Sequence, residues 1–137
     1  MREVARLGRV DGRRRLLVDR TVDAPAEAVW DVLTDTERWP EWGPSVSAVT
    51  ASERVIQRGT TGRVETPVGV SVPFEITRCE PYVWEWEVAR IPATGHRVDT
   101  RPGDRCRVTF DLPPLAAGYV PVCRRALDRV ASLAETP

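Results

Sequence analysis

The apolar pattern of this sequence predicts an α+β fold. A curved antiparallel sheet of about seven strands wraps around a long C-terminal helix, with two short helices after the first strand. Three observations predict it. Val70, Val72, Phe74 and Ile76 fall on alternate positions, as do Trp84, Trp86 and Val88, while Ser71, Glu75, Thr77, Glu85 and Glu87 fill the positions between. Such alternation marks strands with one covered and one wet face. In the tail, Tyr119, Cys123, Ala126, Leu127, Val130 and Leu133 or Ala134 recur at helical spacing, opposite Arg124, Arg125, Asp128 and Arg129. That stripe describes an amphipathic helix long enough to cover a sheet face. Finally, a helical stretch opening at Ala24-Pro25 separates the first strand from all the others.

Composition bounds the function. The 137 residues are read as one domain, 1–137, large enough to bury a core without cross-links. Twenty basic and 20 acidic residues cancel, which argues against nucleic acid or an anionic membrane as partner. Lys is absent, a bias assigned mainly to a GC-rich genome. Five Trp is a high count, and clustered Trp implies a packed core or a ligand wall. Cys79, Cys106 and Cys123 form no CxxC pair, and with a single His they predict no metal site. No apolar run is long enough to span a membrane. Met1 to Val18 is interrupted by Arg and lacks the apolar centre of a secretory signal. The expectation is a reduced, cytoplasmic protein with no cofactor and no stable membrane insertion. Oligomeric state has no visible signature.

The elements follow in order. Residues 1–12 are weakly patterned and end in Asp11-Gly12, a hairpin-type turn. They form either a loose arm or an extra strand, and the arm is favoured. Arg14 to Val22 is the first secure strand. Pro25 suits a first helical position, Glu27 complements the helix dipole, and Ala26, Val29, Trp30 and Leu33 share a face. Thr34 and Glu37 have capping-box spacing for a second short helix, which Trp39-Pro40-Glu41-Trp42-Gly43-Pro44 brings to an end. Strands are then expected at Val46–Ser52, Thr60–Thr66, Val70–Ile76, Tyr82–Ala89, Ile91–Arg101 and Arg105–Leu112. Pro73 argues for an edge or a bulge. Pro113-Pro114 ends the sheet, and Pro121 either starts or kinks the final helix.

The run Val22-Asp23-Ala24-Pro25-Ala26-Glu27-Ala28-Val29-Trp30-Asp31-Val32-Leu33-Thr34-Asp35, with Trp39-Pro40-Glu41-Trp42 after it, resembles the START-like (SRPBCC) superfamily in its polyketide cyclase/dehydrase-like branch. The resemblance spans about Arg14 to Glu135 and implies the helix-grip fold, with a cavity for hydrophobic molecules between sheet and helix. Members include aromatic cyclases and dehydratases, carriers of lipids or hormones, and chaperone binders. Fold alone selects none of these.

The candidate ligand wall is the covered face: Val72, Phe74, Ile76, Trp84, Trp86, His96, Val98, Val108 and Phe110 from the strands, and Tyr119 and Cys123 from the helix. Arg78 is in phase with this face and would sit at the cavity mouth or in a salt bridge. His96 and Tyr119 are the candidate proton-transfer groups, His96 because it is the only side chain that ordinarily titrates near neutrality. In the resembled cyclases, Arg and Tyr orient the substrate, and Tyr119 is the better match here. The cysteines fit small buried apolar residues better than nucleophiles. The leading reading is a binder of a small hydrophobic molecule. The alternatives are a cofactor-independent aromatic or polyketide cyclase, dehydratase or isomerase, and an interaction module whose cavity is filled by its own Trp side chains.

Overall fold

A computed structural model describes residues 5–136. Eight strands form one antiparallel sheet in the order β1-β2-β8-β7-β6-β5-β4-β3. They are β1 (Arg6–Val10), β2 (Arg13–Val22), β3 (Ala48–Ala51), β4 (Thr61–Glu65), β5 (Ser71–Glu80), β6 (Val83–Val88), β7 (Ile91–Arg101) and β8 (Arg105–Leu112). The helices are α1 (Ala26–Thr34), α2 (Trp39–Trp42) and α3 (Val120–Glu135). The arrangement is the helix-grip fold: β2 is followed by two short helices, and α3 packs against β2, α1 and α2.

The arm favoured for residues 1–12 is instead a strand over its described part. β1 pairs with β2 from Arg6↔Leu17 to Val10↔Arg13. Asp11 and Gly12 both take the positive φ that such a tight hairpin demands. Arg6 also reaches across to the carboxylate of Asp19. Residues 1–4 lie outside the described part.

Three local expectations are corrected. Thr34 does not cap: its hydroxyl bonds back to the Trp30 carbonyl at 2.8 Å. Asp35 caps the turn at Thr36–Arg38 by accepting the Glu37 N–H at 3.0 Å. The Arg54 guanidinium, hydrogen-bonded to Asp35, holds that carboxyl below its usual range. Pro73 sits in an interior strand. Its nitrogen and carbonyl face β6 where β6 turns away, and its carbonyl accepts the Ala89 N–H at 2.8 Å, so no ladder donor is lost. Pro121 starts α3 and leaves it unkinked. Tyr119 therefore precedes the long helix, at the end of a 3₁₀ segment over Pro114–Tyr119.

Two bulges shape the covered face. Between β5 and β6 the register shifts after Ile76↔Trp86, so that Arg78 pairs with Glu85 and Cys79 with Trp84. Between β6 and β7, Ala93 and Thr94 oppose Trp86 alone, because Glu85 pairs with Gly95 and Glu87 with Pro92. Each extra residue re-aims the side chains that follow it.

Candidate functional site

A cavity of about 590 Å³ lies between the sheet and the helices. Its floor is Trp84, Trp86 and Val88 of β6, His96 of β7, and Phe110 and Leu112 of β8. Trp39 and Trp42 of α2 and Val122, Cys123 and Ala126 of α3 form the opposite wall. The start of β7 (Ile91–Thr94), the segment Gly43–Val46, Val64, Thr66 and Val72 from the β4–β5 side, and Pro113 with Leu115, Ala116 and Tyr119 complete it. Among the described residues, no Arg, Asp or Glu lines this space. A wall with so little polar surface favours apolar ligands and offers few points of orientation.

The aromatic wall is an ordered column. Trp39 stacks on Trp84 with centroids 5.3 Å apart and planes 3° from parallel. Trp84 stacks in turn on the His96 imidazole at 3.8 Å. Trp86 meets Trp39, Phe74 and Trp84 edge-on. Trp39 is fixed by its ring N–H, which donates to the Leu33 carbonyl at 2.9 Å, and Trp42 donates to the Val32 carbonyl at 3.1 Å. Both acceptors lie in the last turns of α1, where carbonyls lack helical partners. The Trp84 ring N–H is buried without an acceptor, so stacking and burial hold that ring.

His96 is fully buried in this column. Its Nδ1 lies 3.2 Å from the Trp84 carbonyl and its Nε2 lies 3.1 Å from the Thr94 hydroxyl. Burial drives its pKa down to about 3, against a smaller opposing effect of the Trp84 carbonyl. Tyr119 stands at the opposite end, its hydroxyl 2.5 Å from the Ser45 hydroxyl. Burial raises the Tyr119 phenol above its ordinary value. The Cys123 thiol is pushed up to about 12, first by burial and then by the charge of Asp111. Burial also raises Cys79 and Cys106. Every titratable group that lines the cavity is therefore neutral at neutral pH.

The sequence profile of the family described as polyketide cyclase / dehydrase and lipid transport matches residues 13–135. The chain belongs to this family. Its START-like, SRPBCC character thus holds over nearly the whole chain. Solved structures with the same fold include the Zhui aromatase/cyclase from Streptomyces sp. R1128. That protein is 21% identical with a TM-score of 0.67, over 89% of this chain and 93% of that one. The hypothetical protein jhp0584 from Helicobacter pylori gives a TM-score of 0.71 at 12% identity, over 86% of each chain. A conserved protein of unknown function from Enterococcus faecalis gives 0.67 at 15%, over 97% of this chain and 78% of that one. At these identities the likeness concerns the fold alone. No curated protein matches the chain.

In this polyketide cyclase / dehydrase and lipid transport family member, the cavity gathers Val72, Trp84, Trp86, His96, Phe110, Tyr119 and Cys123 from the expected wall. Five expected residues lie elsewhere. Phe74, Ile76, Val98 and Val108 are buried in the solid part of the core. Alternation identifies the covered face, but it carries no information about how far along the strand the packing becomes solid. Here α1 packs on β7 and β8. Arg78 takes the salt bridge, one of its two expected places, and not the cavity mouth. The β5 bulge turns it to the outer face, where it bonds Glu80 at 2.6 Å and Asp11 at 3.0 Å. The place in phase with the covered face is taken by Cys79, opposite Trp84.

The sequence reading missed Thr94, Ser45 and the span Ile91–Ala93. Pro92 and Gly95 flank the β7 bulge and were its visible signal. Both tryptophans of the Trp39-Pro40-Glu41-Trp42 motif line the cavity.

Proposed function

We propose that this protein binds a neutral, hydrophobic small molecule between its sheet and its C-terminal helix. The observation that carries the proposal is a 590 Å³ cavity walled by aromatic rings and free of charged side chains among the described residues. Such a wall gives affinity through buried apolar area, at roughly 25 cal/mol per Å² removed from water. The same wall repels ions, because nothing in it offsets the loss of their hydration. The volume left open between the rings speaks against a core filled by its own Trp side chains. The rings form walls, and space remains between them.

Mass spectrometry of the purified protein, first native and then denaturing, tests the proposal. The expected result is a released, uncharged hydrophobic compound, or, if purification has stripped it, saturable enhancement of N-phenyl-1-naphthylamine fluorescence. Absence of both would overturn it.

One observation favours the enzymatic alternative, a cyclase, dehydratase or isomerase acting on an aromatic or polyketide-like substrate. The Tyr119 and Ser45 hydroxyls meet at the cavity wall, and because burial raises its pKa the Tyr119 phenol stays protonated at neutral pH, where it can act as a hydrogen-bond donor or general acid but not as a base. Tyr119→Phe would then abolish turnover while leaving probe binding within about twofold, whereas in a simple binder it changes only affinity.

A further inference from the structure

Thr94 lies two residues before His96 on β7 and so shares its cavity-facing side, with its hydroxyl between two ring nitrogens. The Trp86 Nε1–H lies 3.0 Å from Thr94 Oγ1, and an indole nitrogen can only donate. Thr94 Oγ1 lies 3.1 Å from His96 Nε2, and His96 Nδ1 lies 3.2 Å from the Trp84 carbonyl. A carbonyl oxygen can only accept, so the single proton of the neutral imidazole sits on Nδ1. Nε2 is then bare and takes the Thr94 proton. The chain runs in one direction: Trp86 to Thr94 to His96 to the Trp84 carbonyl.

The donor and acceptor count at Thr94 follows. A hydroxyl has one proton and two lone pairs. The proton is committed to His96 and one lone pair is committed to Trp86. One lone pair is left. Thr94 can therefore receive a hydrogen bond from a bound molecule and cannot give one. The Ser45–Tyr119 pair is different: either hydroxyl can be the donor, so that pair accommodates a ligand donor or acceptor equally.

We propose that Thr94 Oγ1 is the specificity-determining acceptor of the cavity, and that the ligand is a neutral polycyclic or aromatic molecule bearing a hydroxyl group that donates to it. This rests on the hydrophobic-ligand reading above and adds a polarity to it. A ketone, ether or ester at the same place would set lone pair against lone pair. An alcohol or phenol completes the chain, and a hydrogen bond formed in an enclosed apolar site is reinforced by those already aligned with it.

The test uses three probes of one shape: phenanthrene, 9-phenanthrol and 9-methoxyphenanthrene, each competed against N-phenyl-1-naphthylamine on the whole protein. Phenanthrene itself reports the cavity. The phenol should bind roughly three- to tenfold more tightly than its methyl ether, the range of one net hydrogen bond. Thr94→Val places a methyl group where the hydroxyl was and should reduce that ratio to within about twofold, with phenanthrene still bound. Thr94→Ser keeps the hydroxyl and should restore the ratio, which separates the loss of an acceptor from a general disturbance of the wall. Equal binding of phenol and ether by the unaltered protein, with phenanthrene bound, would overturn the Thr94 proposal and leave the cavity reading standing. No saturable binding of the fluorophore, of phenanthrene or of 9-phenanthrol would overturn both.

Discussion

His96 is the residue from which the sequence promises most catalysis and the structure yields least. Its ring nitrogens are both occupied, and it is stacked in the core with a pKa near 3 against an ordinary 6.5. A base that must lose two hydrogen bonds and leave a stack before it can act is poorly placed for proton transfer. Its signature belongs to stability. The unfolded chain takes up a proton on His96 below pH 6.5 and the folded chain does so only near 3, so stability is complete above 6.5 and is lost as pH falls through that window. The slope should approach 1.4 kcal/mol per pH unit. Because the chain has one histidine, denaturant titrations between those limits should show this slope in the native protein and a much flatter line in His96→Gln. An unchanged slope in the variant would remove His96 as the cause. Cys123 makes a parallel prediction. With its pKa near 12, the thiol should resist iodoacetamide at neutral pH in the native state and react readily once the protein is unfolded, as read by mass.

At the scale of elements, the β7 bulge is held from behind. On the outer face, Arg15 of β2 donates to Asp111 of β8 at 2.7 Å and to the Ala93 carbonyl in the bulge at 2.8 Å. Both charged side chains are buried. A Cβ on Gly95 would lie 2.3 Å from the Asp111 carboxylate, so a side chain there would push the pair apart. Gly95→Ala should therefore destabilise the protein by about 1–3 kcal/mol. Asp111→Leu, which strands Arg15, should cost about 3–5 kcal/mol. Chemical denaturation measures both, and losses below 1 kcal/mol would show that the clamp is idle. This clamp also marks the limit of what the sequence discloses. Period-two alternation made β5 to β8 legible and placed Trp84, Trp86, His96 and Phe110 on one face, because a core-facing strand must alternate. The same rule failed where the period is broken. One added residue near Thr77 sent Arg78 outward, and one at Ala93 brought Ile91 to the cavity side, opposite Val88. Neither insertion changes the apolar pattern enough to be seen. The Arg15–Asp111 pair joins residues far apart in the chain, and nothing local announces it. The β1 hairpin was half visible: Asp11-Gly12 marked the turn, but Leu7 and Val10 are too few apolar residues to declare a strand.

Over the whole molecule, charge and cavity are segregated. Among the described residues, ion pairs lie away from the cavity, as Arg78 with Glu80 and Arg20 with Asp128 show. The cavity wall carries no Arg, Asp or Glu among them. Phenanthrene-9-carboxylate should consequently bind at least tenfold more weakly than phenanthrene, since no cation meets its carboxylate. A bound neutral ligand should raise the melting temperature in a concentration-dependent way, by the equivalent of about 2.7 kcal/mol at a hundred times its Kd, while the carboxylate leaves it unmoved. Equal shifts from the two would show that the apparent absence of charge does not govern selection. The ring column has an optical consequence as well. Four of the five indoles, Trp39, Trp42, Trp84 and Trp86, border the cavity, and the imidazole beside Trp84 carries no charge above about pH 3. Most of the chain's indole rings therefore lie at the wall where a guest arrives. The native protein is its own label-free sensor, in which energy transfer from the wall to a fluorescent guest times entry and exit directly.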